Sequence, residues 1–226
     1  VWKDLAGKFI NIDLQTGFSF SAKGLKTVRA IGFGGRNKAK TVAGLDTMMR
    51  NAKYTTEIAY NQPALNTKSA DGYSNYRCCM LMLGDNKLKV GTDLNQRIGI
   101  QPNGGASSEY EILYGPTFTD ITVSHTFACR QDGANVTVDV DGTSTKSYST
   151  MSPNPEHTIR HGFAFNQDYY TMCGLDGTYY DIRIYNRALT DDEVYVNRAI
   201  DQIRFFGADP AGYTMPSGWR FDTTDG

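Results

Sequence analysis

Apolar and polar residues alternate with a period of two along much of the chain, the repeat of a strand with one buried face. In Ile121-Thr-Val-Ser-His-Thr-Phe-Ala-Cys129 the apolar Ile121, Val123, Phe127 and Cys129 share one face, while Thr122, Ser124 and Thr126 take the other. Asn135-Val-Thr-Val-Asp-Val-Asp-Gly142 repeats the pattern with Val136, Val138 and Val140. Asp141-Gly142 then has the composition of a tight hairpin turn with positive φ, which makes Thr143–Ser149 the return strand. Further strands are predicted over Thr27–Phe33, Tyr54–Tyr60, Arg77–Leu83, Arg97–Gln101, Glu109–Tyr114, Ile159–Phe165 and Thr178–Tyr185. Turn signals separate them at Gly34-Gly35, Gly84-Asp85-Asn86, Asn103-Gly104-Gly105 and Asp176-Gly177.

One segment reads as a helix. Thr190-Asp-Asp-Glu193 has the form of a capping box, with its acids at the positive end of the helix dipole. Behind it Tyr195, Val196, Ala199, Ile200 and Ile203 fall on one face at helical spacing, and Gly207 follows as a stop. Pro210, Gly212, Pro216 and Gly218 then mark an extended tail packed on the surface. The pattern predicts an all-β domain over residues 1–207, with the tail at 208–226. Its architecture is an antiparallel two-sheet β-sandwich of jelly-roll type with one short C-terminal helix.

Composition narrows the function. The 226 residues suit one all-β domain. Lys+Arg 23 against Asp+Glu 24 leaves a net charge of -1, so nothing drives the chain toward nucleic acid or an anionic membrane. No apolar run approaches the roughly 18–20 residues of a membrane span. The chain opens at Val1-Trp2-Lys3-Asp4 without an initiator Met or signal peptide and reads as an excised fragment. Cys78, Cys79, Cys129 and Cys173 show no Cys-x-x-Cys spacing and the three histidines are scattered, which argues against zinc. The cysteines read as small buried hydrophobes, with a Cys129–Cys173 bridge as the alternative.

The segment Gly177-Thr-Tyr-Tyr-Asp-Ile-Arg-Ile-Tyr-Asn-Arg-Ala-Leu-Thr-Asp-Asp-Glu193 resembles the C-terminal signature of laminin G-like jelly-roll domains, in the concanavalin A-like lectin/glucanase superfamily. Trp2-Lys-Asp-Leu-Ala-Gly7 is similar to that family's opening, and Val136–Gly142 resembles its late hairpin strand. The resemblance implies two curved antiparallel sheets on a fold that hosts lectins, glycosidases, adhesion modules and structural domains. Many members bind one Ca²⁺, and the resemblance makes Asp176 and Asp181 the candidate ligands. Two departures bear on that reading: Tyr180 stands where the family has its first acid, and Phe33-Gly-Gly-Arg-Asn37 is basic rather than acidic. The stretch Asn197–Phe205 is similar to ends of gut Bacteroidales surface proteins and of their phages, which implies an extracellular, cell-surface or virion location.

A retaining glycosidase needs two carboxyl groups about 5–5.5 Å apart. The glucanase members supply them from Glu-x-Asp-x-Glu or Glu-x-Asp-x-x-Glu, and no such run exists here. Glu109-Tyr-Glu111 comes nearest and lacks the central Asp, so no enzyme is expected. Gly32-Phe-Gly-Gly-Arg-Asn37 departs from a dinucleotide fingerprint at its sixth position, and no serine sits in a nucleophile elbow. His125 alternates into the apolar face of its strand and reads as a hydrogen-bonded core histidine.

A sugar site needs flat aromatic faces beside amide, carboxylate or guanidinium groups that bond hydroxyls. Phe165-Asn-Gln-Asp-Tyr-Tyr170 offers Asn166, Asp168, Tyr169 and Tyr170, and Asp71-Gly-Tyr-Ser-Asn-Tyr-Arg77 offers Tyr73, Asn75 and Tyr76. The expected function is a non-catalytic carbohydrate-binding or adhesion module. Its partners would be a glycan or cell-surface polysaccharide, together with other domains of a larger surface or virion protein. A structural or protein-contact module is the alternative, and a glycoside hydrolase comes third.

Overall fold

Tyr54-Thr-Thr-Glu-Ile-Ala-Tyr60 is dense in β-branched and aromatic residues, which suit a pleated surface packed on both sides, and it lies at the middle of the larger of two sheets. The structure, a computed structural model, describes residues 18–21, 24–27, 51–63, 78–83, 86–90, 97–101, 113–120, 122–148, 163–165 and 177–219. In chain order the elements are β1 (Phe18–Ser21), β2 (Gly24–Thr27), β3 (Lys53–Asn61), β4 (Cys78–Leu83), β5 (Asn86–Val90), β6 (Arg97–Gln101) and β7 (Leu113–Thr117). There follow β8 (Ser124–Asp132), β9 (Asn135–Val140), β10 (Thr143–Tyr148), β11 (Phe163–Phe165), β12 (Gly177–Tyr185), helix α1 (Asp191–Phe206) and a 3₁₀ turn (Pro210–Gly212).

Seven strands form one sheet in the order β1-β2-β12-β3-β8-β9-β10, and five form the other in the order β11-β4-β5-β6-β7. Every pairing is antiparallel. This is the expected two-sheet sandwich with a C-terminal helix. The sheets meet where β7 crosses β9 and β10. At that crossing a Cβ on Gly115 would lie 2.5 Å from Val138 Cγ1, so only a residue without a side chain lets β7 approach β9.

That contact sorts the faces of the larger sheet. Val138 is opposite Cys129, and Cys129 is opposite Thr56, so all three point toward the smaller sheet. By alternation Tyr54, Ile58, Tyr60, Phe127, Val136 and Val140 join them, and Ile98 and Ile100 are fully buried on the smaller sheet. Cys129 is a free, buried thiol pushed far up by burial, in line with its reading as a small hydrophobe; Cys173 lies outside the described residues.

The opposite face of the larger sheet departs from expectation. Thr126 and Ala128, on the face the alternation leaves to solvent, are buried because α1 covers them. Ala128, Leu189 and Val194 form a small second core there, with Tyr185 against it. The helix itself begins as its sequence predicts. Thr190 accepts from Glu193 N–H while the Glu193 carboxylate accepts from Thr190 N–H, and Gly207 ends the helix at φ 75°. Its buried stripe is different: Val194, Val196, Ala199 and Asp201 face inward, while Ile200 is exposed.

Other strand boundaries shift modestly. The hairpin turn has φ 51° at Asp141 and 89° at Gly142, as the Asp-Gly pair predicts. β8 starts at Ser124, which leaves Val123 outside it and 49% exposed, and Ile121 falls outside the described residues. β7 extends past Tyr114 to Thr117, while residues 109–112 of that predicted strand and residues 28–33 of the one over Thr27–Phe33 lie outside the described residues. After Gly207 the described chain continues through the 3₁₀ turn to Trp219, with Tyr213 edge-on to Tyr195 of α1.

Candidate functional site

The two segments expected to bind sugar lie outside the described residues, so Asn166, Asp168, Tyr169, Tyr170, Tyr73, Asn75 and Tyr76 have no described geometry. The strands that bound them are described. β11 pairs with β4, Phe165 opposite Leu81 and Phe163 opposite Leu83. The exit of β11 therefore lies beside the entry of β4. Residues 166–170 follow the one directly, and 73–76 closely precede the other.

Of the two candidate calcium ligands, Asp176 is outside the described residues and Asp181 is inside them. A bulge in β12 between Tyr179 and Asp181 interrupts the pairing with β3. Tyr179 is buried opposite Tyr60, whereas Tyr180 stacks against Phe205 and Phe206 of α1. Asp181 meets the Arg183 guanidinium at 2.5 Å. One of its carboxylate oxygens, Oδ2, is thus engaged by Arg183. Among the described residues no group of three or more His, Cys, Asp or Glu side chains could hold a metal.

Arg183 is the centre of a charge cluster between β12, β3 and α1. Its Nη1 and Nη2 donate to Asp201 Oδ2 and Oδ1 at 2.9 and 2.5 Å, and Glu57 Oε2 stands 3.7 Å from Nη1. Burial alone would push the guanidinium down. Its hydrogen bonds to Asp201 and the charges of Asp201, Asp181 and Glu57 outweigh that and hold it above its ordinary value.

Three carboxylates around one cation leave an excess of negative charge, and Glu57 carries the consequence. Burial pushes its carboxyl up to about 7, against the pull of Arg183 and of the Asn197 amide, which donates to it at 2.8 Å. Asn197 Nδ2 also reaches the Tyr185 hydroxyl, which burial and the Glu57 charge push up to about 12. Burial raises Asp201 as well, opposed by its two bonds to Arg183.

A cavity of about 10 Å³, room for one water, lies beside the cluster and is lined by Glu57, Asp139, Arg198 and Asp201. Nothing of substrate size fits there. This cluster was not anticipated, although a lone glutamate among the β-branched and aromatic residues of Tyr54–Tyr60 signals a charge that needs a buried partner.

His125 is the core histidine its strand position predicts, 5% exposed between the rings of Phe118 and Tyr60. Its Nδ1 is 2.6 Å from Asp141 Oδ2 and its Nε2 2.7 Å from the Asp120 carbonyl oxygen.

The comparisons agree with this architecture. No curated protein sequence matches the chain. Among solved structures, the carbohydrate-binding module CBM40 of the Ruminococcus gnavus IT-sialidase, bound to alpha2,3 sialyllactose, is similar at a TM-score of 0.55 and 14% identity, over 76% of this chain and 94% of that one. A Trypanosoma rangeli sialidase is similar at a TM-score of 0.52 and 17% identity, over 84% of this chain. The match spans 29% of that enzyme's chain. The family model described as the concanavalin A-like lectin/glucanases superfamily (Laminin_G_3) matches residues 45–195. Those residues include the central strands of the larger sheet, the β8–β9 and β9–β10 hairpins and the start of α1, so the chain belongs to the laminin G-type members of the concanavalin A-like lectin/glucanases superfamily.

Proposed function

We propose that this domain is a non-catalytic carbohydrate-binding module of an extracellular or cell-surface protein. One observation carries the reading: a sandwich of this family whose fold matches most of a module solved with a bound sialylated sugar. The buried acids support it from the other side. Asp201 and Asp181 are spent on Arg183, and Asp139 accepts from Gly142 N–H and Ser144 Oγ at 3.1 and 2.6 Å. These carboxylates are engaged by partners within the fold.

The sugar would be held by Tyr169 and Tyr170 with Asn166 and Asp168 after β11, and by Tyr73, Asn75 and Tyr76 before β4. In sequence both sets combine aromatic rings with hydroxyl-bonding groups. Affinity electrophoresis through gels cast with different polysaccharides, run beside a reducing-end assay, tests the proposal. Retardation without new reducing ends is expected. New reducing ends would make the domain a hydrolase, and free migration in every gel would favour a structural or protein-contact module.

A further inference from the structure

Both ring nitrogens of His125 face oxygen acceptors. Nε2 lies 2.7 Å from a backbone carbonyl, which can only accept, so Nε2 carries a proton. Nδ1 lies 2.6 Å from Asp141 Oδ2. With a bare Nδ1 and an ionised carboxylate, two lone pairs would face each other at that distance, so a second proton lies between them. Asp141 also accepts at Oδ1 from the Thr126 N–H at 2.8 Å and from Thr126 Oγ1 at 3.2 Å. A carboxylate drawing in three donors is best satisfied as the anion, which puts the second proton on the imidazole.

We infer that His125 is held as an imidazolium paired with Asp141, and that this pair is a proton-operated latch joining the β7–β8 loop and the β9–β10 turn to the middle of α1. Each arm is visible. Asp120, whose carbonyl takes the Nε2 proton, belongs to the loop, and its own carboxylate accepts from the N–H and Oγ1 of Thr122 at 2.8 and 2.6 Å. Asp141 belongs to the turn, and its N–H donates to the Thr126 carbonyl at 3.0 Å. From α1, Arg198 Nη1 donates to the Asp141 carbonyl at 2.8 Å, passing through the space a side chain on Gly142 would fill.

The charged groups facing the imidazole are therefore Asp141 from the turn, Asp120 from the loop and Arg198 from the helix. β3 and residue 118 present the rings of Tyr60 and Phe118. The imidazole is 6% exposed and the Asp141 side chain 38%, so a proton can leave through Asp141. When it leaves, the Nδ1–Oδ2 bond becomes a repulsion that weakens the turn's hold on β8.

The test is a pH titration of the whole chain with ¹⁵N-labelled histidine, from mildly acidic to alkaline, followed by imidazole NMR and amide hydrogen exchange. The latch predicts protons on both ring nitrogens at the acidic end. It also predicts a one-proton loss at His125, accompanied by a drop of about tenfold or more in the protection factors of Thr126 and Asp141. The Ile58 amide, in the central strand, should keep its protection. In Asp141→Asn, protection at Thr126 should already be low and should no longer follow His125. A single ring proton at every pH would overturn the inference, as would a His125 step that leaves Thr126 and Asp141 unchanged. If Asp141→Asn does not fold, the titration of the unaltered chain decides alone.

Discussion

Arg183 and Asp201 meet through two parallel hydrogen bonds of 2.9 and 2.5 Å, joining the centre of β12 to the middle of α1. The pair is the main polar fastening between helix and sheet, and Asp201 is 3% exposed. Cutting one partner leaves the other charged in a buried place. Asp201→Ala is therefore expected to cost about 2–4 kcal/mol, near the lower end for a buried pair because Asp181 and Glu57 still face the guanidinium. Replacing both partners, as Arg183→Met with Asp201→Leu, should cost less than Arg183→Met alone, because one fewer carboxylate is left without its cation. Urea unfolding of the variants measures this, and equal losses from the single and double changes would contradict it.

Glu57 makes stability depend on pH. Its carboxyl has an ordinary value of 4.5 and is pushed up to about 7 in the folded domain, mainly by burial. The folded state thus holds a proton that the unfolded chain gives up earlier. The contribution is complete below 4.5, declines as pH rises, and is gone above about 7. The expected loss across that window is about 2–3 kcal/mol. Glu57→Gln keeps an acceptor for Asn197 and removes the ionisation. It should flatten this part of the profile and raise Tm at pH values above about 7, which a calorimetric pH series would show.

Gly115 sets the distance between the sheets. Gly115→Ala places a methyl group 2.5 Å from Val138 Cγ1, and overpacking of that kind costs about 1–3 kcal/mol. Val138→Ala removes the opposing methyl groups, so the double variant should recover part of the loss despite its own cavity. A double-mutant cycle in denaturant reads the coupling, and simple additivity would show that the crossing is looser than described.

How much of this was legible depended on whether the signal was local. The Asp141-Gly142 turn, the Thr190–Glu193 capping box and Gly207 are short-range chemistry, and each is found as read. Alternation located β3, β8, β9 and β12, because one side of each packs on the core. β1, β2 and β5 went unpredicted: Phe18-Ser-Phe-Ser21 and Asn86-Lys-Leu-Lys-Val90 are too short for alternation to stand out. The burial of Thr126 and the exposure of Ile200 both follow from how α1 lies on the sheet, a tertiary fact that strand or helix periodicity cannot carry. The ion cluster was hidden for the same reason, since Glu57, Arg183 and Asp201 come from three separated elements. The two segments proposed for the sugar site lie outside the described residues.

The central claim is that the domain binds glycans through these two segments. A glycan array probed with the whole chain, with calcium and again with chelator, tests it most directly, alongside a variant carrying Tyr169→Ala and Tyr170→Ala. The account predicts reproducible binding to a related set of sugars and its loss in the double variant, whose far-UV spectrum should be unchanged. A signal that falls in chelator would add a bound calcium to that reading. Silence across a broad array with an intact fold would contradict the account and make the domain a structural or protein-contact module.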